Sequence, residues 1–398
     1  MVRKGGLSGP FLLAGLPGFR RRDNHIGMNG KLWTMRLVFG MAGVGILVWA
    51  IIIPYAKIRF QLSDGELGLV LLAGGVGGVA VMPFAGMAVA RFGSRTCTVA
   101  ATLLMCLLLP ILGVAPSVYS FTLLLFIYGA TFGTLDVAMN AQGAVVEALS
   151  GKLHMSRFHA CYSLGMLAVA LVASLTLKLG GTVETICLIC TVGVLLGLTQ
   201  SFRLVPKSGD ALPAGRHFAW PNRHALILGL CCFAAFMTEG AATDWSTIFL
   251  RFSRHMPIDS ATFGYAAFAV MTTLARLTGD RLAMRLGQPA VMRMGVVVAV
   301  AGFALAVGVD SGVAGVVGFG LVGFGTGNIA PLVFSAAARV PGMAANHAMS
   351  AVVGIGYAGF LTGPVMNGFV ANHSGLGSAF LVDALLVGLT FFAARSVA

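Results

Sequence analysis

The chain has 398 residues, of which 58% are hydrophobic and only 10% charged, and its mean hydropathy is +0.91. A soluble domain carries roughly a quarter of its residues as Asp, Glu, Lys and Arg, so the composition excludes a soluble enzyme or nucleic-acid-binding domain. The net charge of +13 would suit an anionic partner if it were gathered on one face, and its distribution along the chain decides that question.

Residues 1–35 read as a cytoplasmic tail: a short apolar piece broken by Gly and Pro precedes Arg20, Arg21 and Arg22, without a signal-peptide core or cleavage site. Met28 and Met35 are equally good starts. Twelve apolar runs follow, each long enough to cross a bilayer, which takes roughly 17 to 25 residues. They cover about 36–57, 66–90, 96–114, 119–147, 158–179, 183–202, 223–250, 260–284, 290–309, 312–338, 345–371 and 377–395. Residues 203–222 gather Pro, Gly and charge, and divide six spans from six as a cytoplasmic linker. The predicted units are therefore the tail 1–35, a six-helix bundle over 36–202, the linker 203–222 and a second bundle over 223–398. With both termini in the cytoplasm, twenty Lys and Arg fall on the cytoplasmic side and five on the other, with Arg276 inside a span. This is the positive-inside pattern, so the basic balance reports orientation in a cell (inner) membrane and no nucleic-acid partner.

In chain order, the first span offers Trp49 and Tyr55 but no carboxylate. The turn after the second span, GMAVARFGSR, holds Gly86, Arg91, Gly93 and Arg95. The fourth span carries Asp136, where an unpaired carboxylate would cost several kcal/mol to bury in hydrocarbon. Gly129, Gly133, Asp136, Asn140, Gly143 and Glu147 share one helix face at 100° per residue. That face points away from lipid, and Asp136 and Asn140 serve there either as interhelical glue or as function. His159 opens the fifth span, as a proton relay or an interface residue.

Span seven holds Glu239 at mid-depth and Asp244 beside Trp245 nearer its outer end; Glu239, Thr243 and Ser246 share a face that Asp244 does not. Arg276 and Asp280 lie one turn apart in span eight and suggest an internal ion pair or an anion site. The following loop holds Asp280, Arg281, Arg285 and Gly287, and Asn328, Asn346, Tyr357 and Asn367 add uncharged hydrogen-bonding capacity in spans ten and eleven. The seven cysteines lie in or beside apolar spans as packing residues; Cys187 and Cys190 lack further ligands, so no metal or cofactor is expected.

An offset of 194 pairs Arg91 with Arg285, Gly93 with Gly287, Gly129 with Gly323, Gly133 with Gly327 and Gly165 with Gly359. Parallel repeats of this kind are one of the two symmetries transporters use. The turn at 86–95 resembles the signature loop of the major facilitator superfamily, G-x-x-x-D-R-x-G-R-R, with Ala90 in place of the acid and Ser94 in place of an arginine. The resemblance implies an all-α membrane protein of twelve helices in two parallel six-helix pseudo-repeats. It also implies that Gly86, Arg91, Gly93 and Arg95, with Asp280, Arg281 and Arg285 in the second half, hold one conformational state.

The string GTLDVAMNAQG is similar to the fucose/proton symporter branch, whose acid on this span carries the proton; the first-span acid of that branch is missing here. The strings FHACYSLG, GYAGFLTGP and EGA-x-x-DWS look like a bacterial subgroup of mostly unassigned substrate. The reading is a secondary transporter and not an enzyme, monomeric in the lipid bilayer, whose partners are protons and a small-molecule solute of sugar-like polarity. Asp136 and Glu239 are the proton-coupling candidates. Asn140, Trp49, Tyr55, Thr243, Asp244, Trp245, Asn328 and Tyr357 are the substrate-binding ones. Efflux of an amphipathic compound is the alternative within transport, and a solute sensor without net flux is the alternative from another class.

Overall fold

A computed structural model describes residues 24–62, 64–206, 220–261 and 263–398. The expected linker core at 207–219 and the tail up to residue 23 lie outside the described residues. In hydrocarbon every backbone N–H and C=O needs an internal partner, which a helix supplies by itself. The described residues are accordingly helical: α1 (Asn24–Arg59), α2 (Asp64–Phe92), α3 (Ser94–Gly113), α4 (Val118–Ser150), α5 (Met155–Lys178) and α6 (Val183–Leu198) form one bundle. The other bundle comprises α7 (Arg223–Phe252), the short α8 (Ile258–Ala261), α9 (Phe263–Leu286), α10 (Gln288–Gly308), α11 (Gly312–Thr326), α12 (Ile329–Ala337) and α13 (Ala345–Ala393).

Among the described residues twelve membrane crossings result, because α11 and α12 make one and α13 makes two. The left-handed Gly375, at φ 81°, turns α13 back on itself between its two legs. Ten of the crossings are long and apolar enough to be recognised by length and composition alone. The other two are α9, which carries Arg276, Asp280, Arg281 and Arg285, and the first leg of α13. Helix α1 starts at Asn24, twelve residues before the expected span. The tenth span, expected as one run over 312–338, breaks between Thr326 and Ile329.

Sequence glycines build the bundles. A Cβ on Gly129 would strike the backbone of Gly74, and one on Gly323 would strike the backbone of Phe268, both pairs being related by 194 residues. The same holds for Gly133 against the Gly78 carbonyl and Gly327 against the Thr272 carbonyl. Gly93 (φ 88°, ψ 150°) and Gly287 (φ 85°, ψ 147°) start α3 and α10 in matching left-handed geometry. The halves are parallel pseudo-repeats, as the offset predicts. Leucines such as Leu123, Leu167, Leu171, Leu385 and Leu389 face outward as the lipid-covered surface.

The halves bind each other at the end of the bundle that carries the turns after α2 and α9, here termed the basic end. Asn346 at the start of α13 donates to the Gly86 carbonyl at 2.9 Å, and the Ser350 hydroxyl donates to the Met82 carbonyl. Asp280 of α9 accepts from the backbone amides of Ser156 and Arg157 on α5, at 3.0 Å each. Ser335 of α12 donates to Glu147 of α4 at 2.7 Å. At the opposite end, the described arginine contacts stay within a half: Arg59 donates to the Gly113 carbonyl, and Arg254 to those of Ala306 and Val307.

Candidate functional site

Asp136 sits where α4 meets the first leg of α13, and it is buried. Asn140, one turn on, donates through Nδ2 to the Asp136 carbonyl and to Oδ1, both at 2.9 Å. The Tyr357 hydroxyl reaches the same carboxylate from the other half. With its amide nitrogen committed to Asp136, Asn140 presents Oδ1 to Nε2 of His159, 3.2 Å away. His159 therefore carries its ring proton on Nε2 when neutral. Phe39 and Phe334 pack on the imidazole from the two halves, with ring centroids 5.0 and 5.5 Å away.

A second chain of contacts starts in the other half. Arg276 donates to Glu239 Oε2 at 3.4 Å, to the Ser163 hydroxyl at 3.0 Å and to the Gly327 carbonyl at 3.1 Å. That carbonyl is available because α11 stops at Thr326. The expected pairing of Arg276 with Asp280 is thus replaced: Arg276 turns to α7 and α5, while Asp280 goes to the start of α5, with the Arg157 guanidinium 3.6 Å away. Ser163 in turn donates to the His159 carbonyl at 3.3 Å. The two chains of contacts converge on one turn of α5 and place Asp136, Asn140, His159, Ser163, Arg276, Glu239 and Tyr357 together. Glu239 is 31% exposed, so the Arg276 pair is accessible on one side.

The other candidates take separate places. Asn328 caps the break before α12 and donates to the Ala275 carbonyl at 2.8 Å, leaving its buried Oδ1 without a partner. Trp49 packs against the core of the first bundle. Trp245 packs against the aromatic cluster of Phe249, Phe303, Phe319 and Phe380 near the opposite end. Thr243 and Asp244 are exposed, the Thr243 hydroxyl being spent on the Glu239 carbonyl. Tyr55 is remote from Asp136; with Arg59, Phe121 and Glu184 it lines a cavity of about 260 Å³ at the non-basic end of the first bundle.

Among the loop residues, Gly86 permits close approach of α13: a Cβ there would stand 2.8 Å from Ser350 Cβ. Gly93 supplies the left-handed turn before α3, and Arg91, Arg281 and Arg285 are exposed. Ser94, which departs from the signature, donates to Gln142 on α4, whose amide donates to the Val205 carbonyl. Arg95 is partly buried beside it. Cys187 and Cys190 are buried free thiols.

Sequence reasoning passed over Ser163, Ser335 and the capping role of Glu147. Glu147 Oε1 accepts from the amides of His154 at 2.6 Å and Met155 at 2.7 Å. Together Glu147 and Asp280 satisfy four successive amides at the start of α5, one carboxylate coming from each half. The polar face of α4 already carried the signal for Glu147; nothing local in the sequence marked Ser335.

The sequence model of the Major Facilitator Superfamily matches residues 32–345. An uncharacterized MFS-type transporter of Yersinia pestis is 38% identical over 365 residues, 92% of this chain and 95% of that protein. Membrane protein MosC of Rhizobium meliloti is 30% identical over 360 residues, 88% of this chain and 87% of that protein. The crystal structure of FucP in the outward conformation superposes with a TM-score of 0.79 at 19% identity, covering 94% of this chain and 99% of that chain. A second structure of FucP, described as the E. coli fucose:proton symporter, gives a TM-score of 0.73 at 19% identity over 92% of this chain and 98% of that chain. Those structures share the fold. By its sequence match over most of its length, the chain belongs to the major facilitator superfamily and is a membrane transporter, not an enzyme.

Proposed function

We propose that this transporter moves a small, polar, sugar-like solute together with a proton by alternating access, with Asp136 as the proton site. One observation carries the reading. Of the two acids at the centre, Glu239 has a cationic partner in Arg276, whereas the partners of Asp136 are the neutral Asn140 and Tyr357. A buried carboxylate without a cation is costly, and a proton removes that cost. Binding and release of the proton therefore change what Asp136 offers to Tyr357, from acceptor to donor, at a contact between the halves. The likeness of the fold to a fucose:proton symporter agrees with this reading.

Glu239 and Arg276 are then a charge-balanced pair that a hydroxyl-rich solute bridges through Arg276 and Glu239 oxygens, with Asn140 and Tyr357 beside it. Thr243 and Asp244, exposed one turn further along α7, are further candidates for contact with that solute. The basic end faces the cytoplasm, in keeping with the excess of Lys and Arg there, and the protein resides in the cell inner membrane. With the basic end bound shut, the structure corresponds to a state that receives solute from outside. In proteoliposomes, Asp136→Asn is expected to abolish accumulation driven by an imposed proton gradient while retaining solute exchange between equilibrated compartments. Uphill accumulation by that variant would overturn the assignment. Acidification of the lumen on adding solute outside distinguishes uptake with a proton from efflux against one.

A further inference from the structure

Asp383 is fully buried in the second leg of α13, and Asn367 is buried in the first leg. Gly375 turns the helix midway between them, eight residues from each, so both stand about 12 Å below the turn at 1.5 Å rise per residue and side by side at the same depth. Asn367 lies beside the carboxyl of Asp383, yet neither oxygen of Asp383 and neither polar atom of Asn367 makes a hydrogen bond. The surroundings are apolar: Phe380, one turn before Asp383, packs on Phe249, Phe303 and Phe319 from α7, α10 and α11, at centroid distances of 5.3, 5.9 and 5.1 Å.

The cluster that Phe380 joins is neutral: it takes Trp245 and Phe249 from α7, Phe303 from α10 and Phe319 from α11. The guanidinium of Arg254 lies over the Phe249 ring and is bound to the Ala306 and Val307 carbonyls and to Asp310. Among the described residues no cation balances Asp383. A bare carboxylate there would cost many kcal/mol, whereas a carboxylic acid costs only what its hydrogen bonds leave unmet.

We propose that Asp383 and Asn367 form a second proton-binding site, separate from Asp136. One proton taken from water converts the carboxylate to an acid. Its O–H donates to Asn367 Oδ1 and its carbonyl oxygen accepts from Asn367 Nδ2, so all four orphaned atoms are satisfied in one cyclic acid–amide pair. The pair ties the leg that carries Asn346, Ser350 and Tyr357 to the outer wall of the bundle. Loss of the proton breaks it and loosens the leg that closes the basic end.

The test is infrared spectroscopy of the protein in lipid nanodiscs, reading the carboxyl stretch of protonated acids at neutral pH. Asp383→Asn keeps an amide–amide pair and is expected to fold and to lose one protonated-acid band that Asp136→Asn retains. The exchange Asp383→Asn with Asn367→Asp restores a band, because it rebuilds the acid–amide pair with the legs reversed. An unchanged set of bands in Asp383→Asn shows an ionised carboxylate and overturns the proposal, whatever Asp136 does. In an Asp136→Asn background, raising the pH is expected to loosen the basic end, as read by spin-label distances between positions 91 and 285, and Asp383→Asn is expected to remove that response. A response that persists in the double variant overturns the transmission to the seam.

Discussion

The two places where the halves meet at the basic end are related by the internal repeat, yet they use different chemistry. In the seam of α9 with α5, Arg276 and Asp280 face Ser163 and Ser156; in the seam of α2 with α13, Met82 and Gly86 occupy the first two positions and Tyr357 and Ser350 the second two. Each pair of positions is 194 apart. One seam is held by a carboxylate on helix amides and an arginine on a hydroxyl. The other is held by glycine packing, with Asn346 and Ser350 donating to carbonyls. The same backbone arrangement therefore tolerates either charge or close contact. The charged seam is the one that a change in protonation or salt can address, while the packed seam answers to volume.

The sharpest way to break the comparison is Asp280→Ala, which strands two amides of α5 and the Arg157 guanidinium. Hydrogen bonds to a charged acceptor contribute roughly 1.5–3 kcal/mol each, so closure of the basic end is expected to weaken by about 3 kcal/mol, on the order of a hundredfold. Spin-label distances between positions 91 and 285 read the change, and an unaltered distance distribution would sink the charged-seam account. Gly86→Val attacks the packed seam. Its new side chain meets Ser350 and the Asn346 carbonyl, and overpacking costs about 1–3 kcal/mol. The same distances should lengthen, and adding Ser350→Gly should restore them in part.

Glu147→Gln tests the shared cap of α5. Gln keeps one acceptor for the two amides but loses the charge, for a loss of about 1 kcal/mol. Solute transport should persist with a raised proportion of the basic-end-open state, and a full loss of transport would assign Glu147 to proton movement instead. The smallest effect is expected at His154, whose pKa is lowered to about 4 by burial and then by Arg157, Arg36 and Lys152. The closed form thus binds fewer protons than an opened one titrating near 6.5. Closure is at full strength above that value and weakens as the pH falls toward 4. His154→Gln should flatten that slope in the distance measurement, leaving neutral-pH behaviour unchanged.

Most of the fold was legible because a bilayer admits few solutions: twelve apolar runs, the lysine and arginine bias and glycines 194 apart all report it. The break at Gly327 was hidden because the groups that meet it, the Arg276 guanidinium and the Thr272 backbone, lie on another helix. Within the site, Asp136 and Asn140 were legible as a pair one turn apart. The link from Asn140 to His159 was not, since it crosses between helices. Helical periodicity also misled at Arg276 and Asp280: it says which residues share a face of one helix, but not which neighbour each will choose. Asp244 stood out as an intramembrane charge, yet it lies exposed and off the turn of α5 on which the central contacts converge.

The cap at the start of α5 carries one more consequence. Its four amides are served by Glu147 from one half and Asp280 from the other, so the halves cannot part without breaking the two bonds to Asp280. Opening the basic end must hydrate Asp280 and the amides it leaves, which makes the transition a wetting step. Solutes too large to enter the gap would withdraw that water, and high osmotic pressure should hold the transporter shut at this end.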